Sequence, residues 1–206
     1  MQIPQWELKI SRRSWLLAGL ATPLLRAWAA DTLRVQYDGD TLHVTAPNLH
    51  FLTGAPLKRL TDGDVVAYVA QLDLLNETHE DVLKQQRGRF VVSYALWEEK
   101  FSVTLLGSSP RSAEGLSTGA AEAWCVNQLA IPTLNLAADR YYWLRFSVRT
   151  GSPRDFASDD QAGISLKRLI DALSRKPSPV TNWGPFEARV RLADLPRMAG
   201  RGSKLG

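Results

Sequence analysis

The segment Gly115–Gly119 carries the pattern in this chain most suggestive of catalysis. Its sequence, Gly-Leu-Ser-Thr-Gly, matches the G-x-S-x-G pattern of serine hydrolases, in which the serine is the nucleophile. Such enzymes place the histidine base after the nucleophile in chain order. Here His43, His50 and His79 all precede the serine. We therefore interpret the motif as a run of small residues within or before a helix, and we predict no catalytic residue.

Metal binding is also weakly supported by the sequence. His43 and His50 have no further Cys or His near them at a spacing typical of zinc sites. Asp155, Asp159 and Asp160 lie close together, but they do not follow the calcium-loop register D-x-D-x-D-G. The sequence thus predicts exposed histidines and a solvated acidic loop, with no metal and no cofactor.

Glu98 and Glu99 are adjacent carboxylates that could in principle serve acid/base chemistry. Such chemistry needs both groups on one site. Neighbouring positions on a hairpin point to opposite faces, so we expect a charged turn instead.

Tryptophans offer the best candidates for a contact surface. Trp97 is predicted to lie in a turn and Trp183 in a loop, where large aromatic side chains can reach a sugar or a protein partner. Trp124 and Trp143 lie in apolar patterns and are predicted to belong to the core.

Most of the chain shows strand patterns, which alternate polar and apolar residues. Two Asp-Gly-Asp turns, at 38–40 and 62–64, separate some of these strands. The predicted strands span residues 32–37, 41–45, 65–74, 89–96, 100–106, 141–148 and 186–192. The strand at 65–74 is apolar enough to be buried on both faces for part of its length.

Two helices are predicted from apolar spacing. The first runs through Leu116, Ala120 and Trp124, with Ser109 or Ser112 as its cap, and the second spans about 165–175. Seven strands and two accessory helices predict a mainly β (α+β) fold, an antiparallel β-sandwich. We assign residues 30–196 to one such domain and expect a disordered tail at 197–206.

The run Tyr94–Val103, Tyr-Ala-Leu-Trp-Glu-Glu-Lys-Phe-Ser-Val, resembles the central hairpin of domain of unknown function 4390. In that family of uncharacterised exported bacterial proteins, a tyrosine and an aromatic residue at the Phe101 position flank a leucine-containing turn. The similarity extends through Ala120–Leu129 and the late strand ending at 192–196, whereas the segment around Leu166 is an insertion. The resemblance implies export and a sandwich fold, and it carries over no activity and no catalytic residues.

Residues 1–29 have the features of a cleavable export signal peptide. Arg12 and Arg13 precede a short apolar run, and Ala27 and Ala29 are small residues suited to signal peptidase, with cleavage expected after Ala29. The arginine pair resembles the twin-arginine signal, with the general secretory route as the alternative. An uncleaved anchor is the other alternative, although a spanning helix needs roughly 20 apolar residues. We expect a periplasmic or extracellular protein without a transmembrane span after cleavage.

Charge and cysteine content exclude two further classes. The full chain has 25 Lys and Arg against 21 Asp and Glu. Residues 1–29 hold four of these basic residues and one acidic residue, so the remainder has a net charge of about +1 and does not indicate a nucleic-acid partner. Cys125 is the only cysteine, which excludes an intramolecular disulfide. Its apolar neighbours predict a buried thiol.

Three functional classes follow from these observations. The favoured one is a non-catalytic binding or scaffold module of the cell envelope, with an envelope protein or glycan as its unknown partner. The alternatives are an envelope enzyme of unrecognised type and a membrane-associated accessory protein. The last would display a basic helix, with Lys167, Arg168, Arg175 and Lys176, above an anionic surface.

Overall fold

The computed structural model of the protein describes residues 33–152, 155 and 179–196. Within these residues the fold is mainly β, with nine strands and two helices. The elements in chain order are β1 (Arg34–Tyr37), β2 (Thr41–Thr45), α1 (Gly54–Thr61), β3 (Val66–Leu75), β4 (Val82–Ala95), β5 (Lys100–Leu106), β6 (Arg111–Leu116), α2 (Thr118–Asn127), β7 (Ala130–Pro132), β8 (Tyr141–Thr150) and β9 (Asn182–Arg191). A single 3-10 turn, Leu192–Asp194, follows β9.

The strands form two antiparallel sheets. One sheet has three strands in the order β1-β2-β7, and the other has six in the order β6-β5-β4-β3-β8-β9. Two sheets with helices agree roughly with the predicted architecture, but nine strands replace the predicted seven. The two unpredicted strands are the exposed edge strand β6 and the three-residue β7.

Strand β3 is buried on both faces, as its apolar composition predicted. Tyr68 and Leu72 belong to the main core, whereas Ala67 and Val69 belong to a small separate cluster with Leu106. Successive side chains of a strand point to opposite faces, so the two clusters lie on opposite faces of the six-stranded sheet.

The main core contains side chains from both sheets and both helices. Leu42 and Ile131 come from the three-stranded sheet, Phe90 from the six-stranded sheet, Leu60 from α1 and Cys125 from α2. The buried position predicted for Cys125 is confirmed, because its residue surface is only 2% exposed. Burial, together with the nearby negative charge of Glu122, raises the pKa of this thiol, so it is a poor nucleophile.

The first Asp-Gly-Asp segment forms the predicted turn between β1 and β2. The Oδ1 atom of Asp38 accepts hydrogen bonds from the backbone N–H groups of Asp40 (3.0 Å) and Thr41 (2.7 Å). Gly39 has a φ of 108°, a conformation that favours glycine.

The second Asp-Gly-Asp segment ends helix α1, which the sequence did not predict. Gly63 has a φ of 86°, and its N–H donates to the carbonyl oxygen of Leu60 at 3.1 Å. A glycine in this conformation just after the last turn is a common way to end a helix.

Helix α2 starts later than its apolar spacing predicted. Ser117 is its N-cap, and the Oγ atom accepts a hydrogen bond from the backbone N–H of Ala120 at 3.4 Å. The proposed caps were wrong, because Ser112 lies in strand β6 and Ser109 in the segment before it. Leu116 is the last residue of that strand, where it pairs with Phe101 of β5.

Several predictions concern segments outside the described residues. These are the signal peptide with Arg12, Arg13, Ala27 and Ala29, the acidic residues Asp159 and Asp160, the helix at about 165–175 with its four basic residues, and the tail at 197–206. In the part of the chain that the structure describes, no helix is long and apolar enough to cross a membrane.

Candidate contact surface

The β4–β5 turn presents the most exposed aromatic side chain of the described residues. Ala95 and Lys100 form the last strand pair, and residues 96–99 form the turn. Trp97 is 100% exposed and its neighbour Leu96 is 53% exposed. We call the side chains of Leu96, Trp97, Glu98 and Glu99 the hairpin tip.

Packing behind the turn supports the hairpin tip. Tyr94 and Phe101 face each other across β4 and β5, with ring centroids 4.8 Å apart. Phe101 is buried in the main core, so this pair connects the turn to the interior. Trp97 is therefore displayed by an anchored hairpin, which reduces the entropy that would be lost when a partner binds it.

Trp183 does not lie in a loop, and this prediction was wrong. It lies in strand β9, is half-buried and packs against the main core. Its ring centroid is 6.2 Å from that of Phe51 and 6.1 Å from that of Tyr68. Trp183 is therefore largely a packing residue.

The structure does not bring Trp97 and Trp183 together. Through the strand pairings of the six-stranded sheet, Trp183 lies in the same row as Val148, Ala70 and Gly88. Gly88 precedes Trp97 by nine residues along the chain. At about 3.3 Å per strand residue, the two tryptophans are separated by roughly 25 to 30 Å along the strand direction.

The G-x-S-x-G motif has a structural role. Ser117 caps α2, and Gly119 lies in the first turn of the helix. Small residues at the start of a helix are the alternative that the sequence favoured, and Ser117 is a common type of N-cap residue.

A pocket between α2 and the segment after β2 contains the most unusual carboxylate. Glu122 of α2 is only 3% exposed. Its Oε1 atom accepts a hydrogen bond from the backbone N–H of Leu52 at 2.8 Å, and its Oε2 atom lies 3.1 Å from Nδ1 of His50. The Glu122 carboxylate thereby connects helix α2 to the segment at residues 50–52.

Tyr68 adds a buried polar group on the inner side of this region. Its residue surface is fully buried, and its hydroxyl has no hydrogen-bond partner in the part of the chain that the structure describes. Burial, followed by the influence of Cys125 and Glu122, raises the pKa of Tyr68.

The other two histidines have local partners. His43 Nε2 lies 3.0 Å from Oδ2 of Asp38, and the His79 ring stacks on Trp143 with centroids 4.5 Å apart. Trp143 is half-buried in β8, whereas its neighbour Tyr142 is in the main core. The described residues contain no group of three or more His, Cys, Asp or Glu side chains that could hold a metal ion.

Comparison with known proteins gives no relative from which a role could be transferred. The chain matches no protein family profile, no curated protein and no solved structure.

Glu122 was not among the residues predicted from the sequence to have a role, although one signal for it was present. Ala121, Cys125 and Val126 form the buried side of α2, and Glu122 lies on that same side. A charged residue within an apolar stripe is rarely buried unless it is paired, so its position alone indicated a polar contact. Its partner His50 is 72 residues away along the chain, beyond the reach of any local pattern.

Proposed function

We propose that the protein is an exported, non-catalytic binding module of the cell envelope, and that the hairpin tip contacts a partner protein. In this proposal the two sheets form a β-sandwich that serves as scaffold. The observation that carries it is the complete exposure of Trp97 on an anchored hairpin. Tryptophan is enriched among the residues that dominate binding energy in protein interfaces.

Charge around the tryptophan favours a particular kind of partner. Glu98 and Glu99 are exposed beside Trp97, and the exposed Lys100 follows them, so residues 97–100 carry a net charge of −1. Two carboxylates oppose insertion into an anionic lipid surface. They favour a protein with an apolar pocket and a basic rim, because complementary charge increases both association rate and specificity.

Site-specific photo-crosslinking in the envelope tests this proposal. A photo-reactive amino acid replaces Trp97 in one variant and Leu134, which is 74% exposed, in the matched control. We expect one protein adduct from position 97 that is absent from position 134. Mass spectrometry identifies the partner, and purified components then give its affinity.

Substitutions in the hairpin tip separate a specific contact from chance proximity. Trp97→Ala is expected to weaken binding of the identified partner by at least tenfold, in line with a loss of about 2 kcal/mol for an interface anchor. The double variant Glu98→Lys, Glu99→Lys is also expected to bind the partner more weakly than the wild-type protein does. Identical adducts from both positions, lipid adducts alone, or unchanged affinity of Trp97→Ala would contradict the proposal.

Export rests on the twin-arginine-like segment at residues 1–29 and on the resemblance to domain of unknown function 4390. A reporter fused to residues 1–30 is expected to leave the cytoplasm, and N-terminal sequencing is expected to place cleavage after Ala29 or close to it. Replacing Arg12 and Arg13 with lysine distinguishes the routes, since only the twin-arginine route should lose the reporter. An intact Met1 on protein in the cytoplasm would exclude export.

A further inference from the structure

The pocket that contains Glu122 has a defined size and an open mouth. Its volume is about 150 Å³, and it lies between helix α2 and the segment that follows β2. The residues that line it are Thr45, Ala46, Pro47, Leu49, His50, Gly119, Glu122, Ala123, Val126 and Asn127. Five of them, Pro47, His50, Gly119, Ala123 and Asn127, are exposed, so the pocket opens to solvent. We call this cavity the α2 pocket.

The α2 pocket combines apolar walls with one charged group. Ala46, Pro47, Leu49 and Val126 supply apolar surface, whereas Glu122 supplies a carboxylate that is almost completely buried. No lysine or arginine among the described residues forms an ion pair with this carboxylate, whose one ionisable partner is His50. Burying a carboxylate is costly unless a cation or hydrogen-bond donors accompany it.

The hydrogen bonds of Glu122 leave room for another donor. Each carboxylate oxygen can accept two hydrogen bonds. Oε1 uses one for the backbone N–H of Leu52, and Oε2 uses one for His50. A ligand with N–H donors can therefore join the carboxylate without displacing either contact.

We propose that the α2 pocket binds a compact organic cation, a primary ammonium group on a short apolar stem. The ammonium donates to Glu122, and the stem lies against the apolar walls. A cavity of about 150 Å³ admits a molecule of roughly benzene size, which limits the stem to about four or five carbons. The ligand is either a free small amine or the lysine side chain of a peptide, and this site is independent of the hairpin tip.

Titration of the full-length protein with n-butylammonium tests the proposal directly. Amide chemical shifts of Leu52 and Gly119 report on binding, and n-butanol serves as a neutral probe with the same stem. We expect saturable binding of the amine at least tenfold tighter than that of the alcohol. N-acetyl-lysine methylamide, which carries the same aminobutyl stem, distinguishes the sources: binding by both amines shows that a lysine side chain can enter the pocket, and binding by butylammonium alone restricts the ligand to a free amine.

Two variants with one matched control localise the site. Glu122→Gln removes the charge, and Gly119→Met places a long apolar side chain at a residue that lines the pocket, where the new Cβ meets no atom within 4 Å. Each is expected to weaken amine binding at least tenfold, whereas Glu114→Gln, at an exposed position of β6, is expected to leave it unchanged. If Glu122→Gln does not fold, amine binding by Gly119→Met alone tests whether the ligand occupies the α2 pocket. The proposal is overturned if butylammonium does not bind, if the alcohol binds equally well, or if Gly119→Met retains binding.

Discussion

At the scale of the residue, identical side chains have different roles because their surroundings differ. Trp97 is fully exposed, whereas the ring of Trp183 packs near Phe51 and Tyr68. The local sequence gives both tryptophans polar or turn-forming neighbours, so it could not separate them. What distinguishes them is contact with segments more than a hundred residues away from Trp183 along the chain.

This difference predicts that replacing each tryptophan with alanine will affect stability to a different extent. Trp97→Ala should change the free energy of unfolding by less than about 0.5 kcal/mol, because an exposed side chain contributes little to folding. Trp183→Ala should lower it by about 2 to 3 kcal/mol, because a half-buried ring leaves the core. Urea denaturation measures both values, and equal losses in the two variants would contradict the assignment.

The carboxylate of Asp155 accepts four hydrogen bonds, and these make its contribution to stability depend on pH. The guanidinium of Arg149 donates to both of its carboxylate oxygens, and Ser152 donates from its N–H (2.7 Å) and its hydroxyl (2.8 Å). The hydrogen bonds from Arg149, above all, hold the pKa of Asp155 well below its usual range. A lowered folded-state pKa stabilises the protein above the unfolded-state pKa of about 4, and the effect is lost as pH falls toward the folded-state pKa.

Asp155→Asn should therefore cost more stability at pH 6 than at pH 3. Arg149 is 36% exposed in its side chain, so solvent screening limits the difference to about 1 kcal/mol. Urea denaturation of both proteins at the two pH values measures it. Asp194→Asn offers a comparison, because that carboxylate pairs with Arg191 in a more exposed setting. A loss that is the same at pH 3 and pH 6 would contradict the role given to the carboxylate charge.

At the scale of the element, the sequence predicted the strands in which apolar side chains on one face alternate with polar side chains on the other. Residues 41–45 and 100–106 alternate between apolar and polar side chains, and both became strands with the predicted bounds. The first half of β4, from Val82 to Arg87, has largely exposed side chains and no such alternation. Its strand structure depends on pairing with β3, which no local pattern records.

The elements that were missed have similar explanations. Helix α1 has eight residues and carries Pro56 in its first turn, so its apolar spacing is too short to stand out. Strand β6 is an exposed edge, and the apolar Leu116 at its end was assigned to the helix that follows. The hairpin tip was predictable because Trp97 lies between two clear strands, whereas Glu122 and His50 meet only through the tertiary fold.

Within β4, Gly88 allows the ring of Phe90 to lie against the backbone. A Cβ at Gly88 would lie 2.6 Å from Cε2 and 2.7 Å from Cζ of that ring. Gly88→Ala should therefore lower the free energy of unfolding by about 1 to 3 kcal/mol, since the buried ring must move.

Gly119→Ala is the matched control, because the new Cβ meets no atom within 4 Å and alanine favours a helix. It should be neutral or stabilising by up to about 1 kcal/mol. Thermal and urea denaturation of both variants check the contrast, and a stable Gly88→Ala would show that the ring relaxes without cost.

At the scale of the whole molecule, both sheets depend on the same main core. Leu42 and Val44 of the three-stranded sheet belong to one buried cluster with Phe90, Leu144 and the inner residues of α2. Glu122 adds a polar connection between α2 and the chain near Leu52. Neither sheet has a separate main core among the described residues, so the two should lose their structure together.

This shared core predicts a single cooperative unfolding transition that a substitution in either sheet affects as a whole. Leu42→Ala removes a fully buried side chain from the three-stranded sheet, and we expect it to cost about 2 to 5 kcal/mol. Trp143 and Trp183 lie in the six-stranded sheet and Trp124 lies in α2, so tryptophan fluorescence reports on parts of the fold outside the three-stranded sheet. Fluorescence and far-UV circular dichroism should give coincident urea midpoints in the wild-type protein, and both midpoints should fall equally in the variant. If Leu42→Ala lowers the circular dichroism midpoint while the tryptophan midpoint stays in place, the two sheets unfold separately and the core does not couple them.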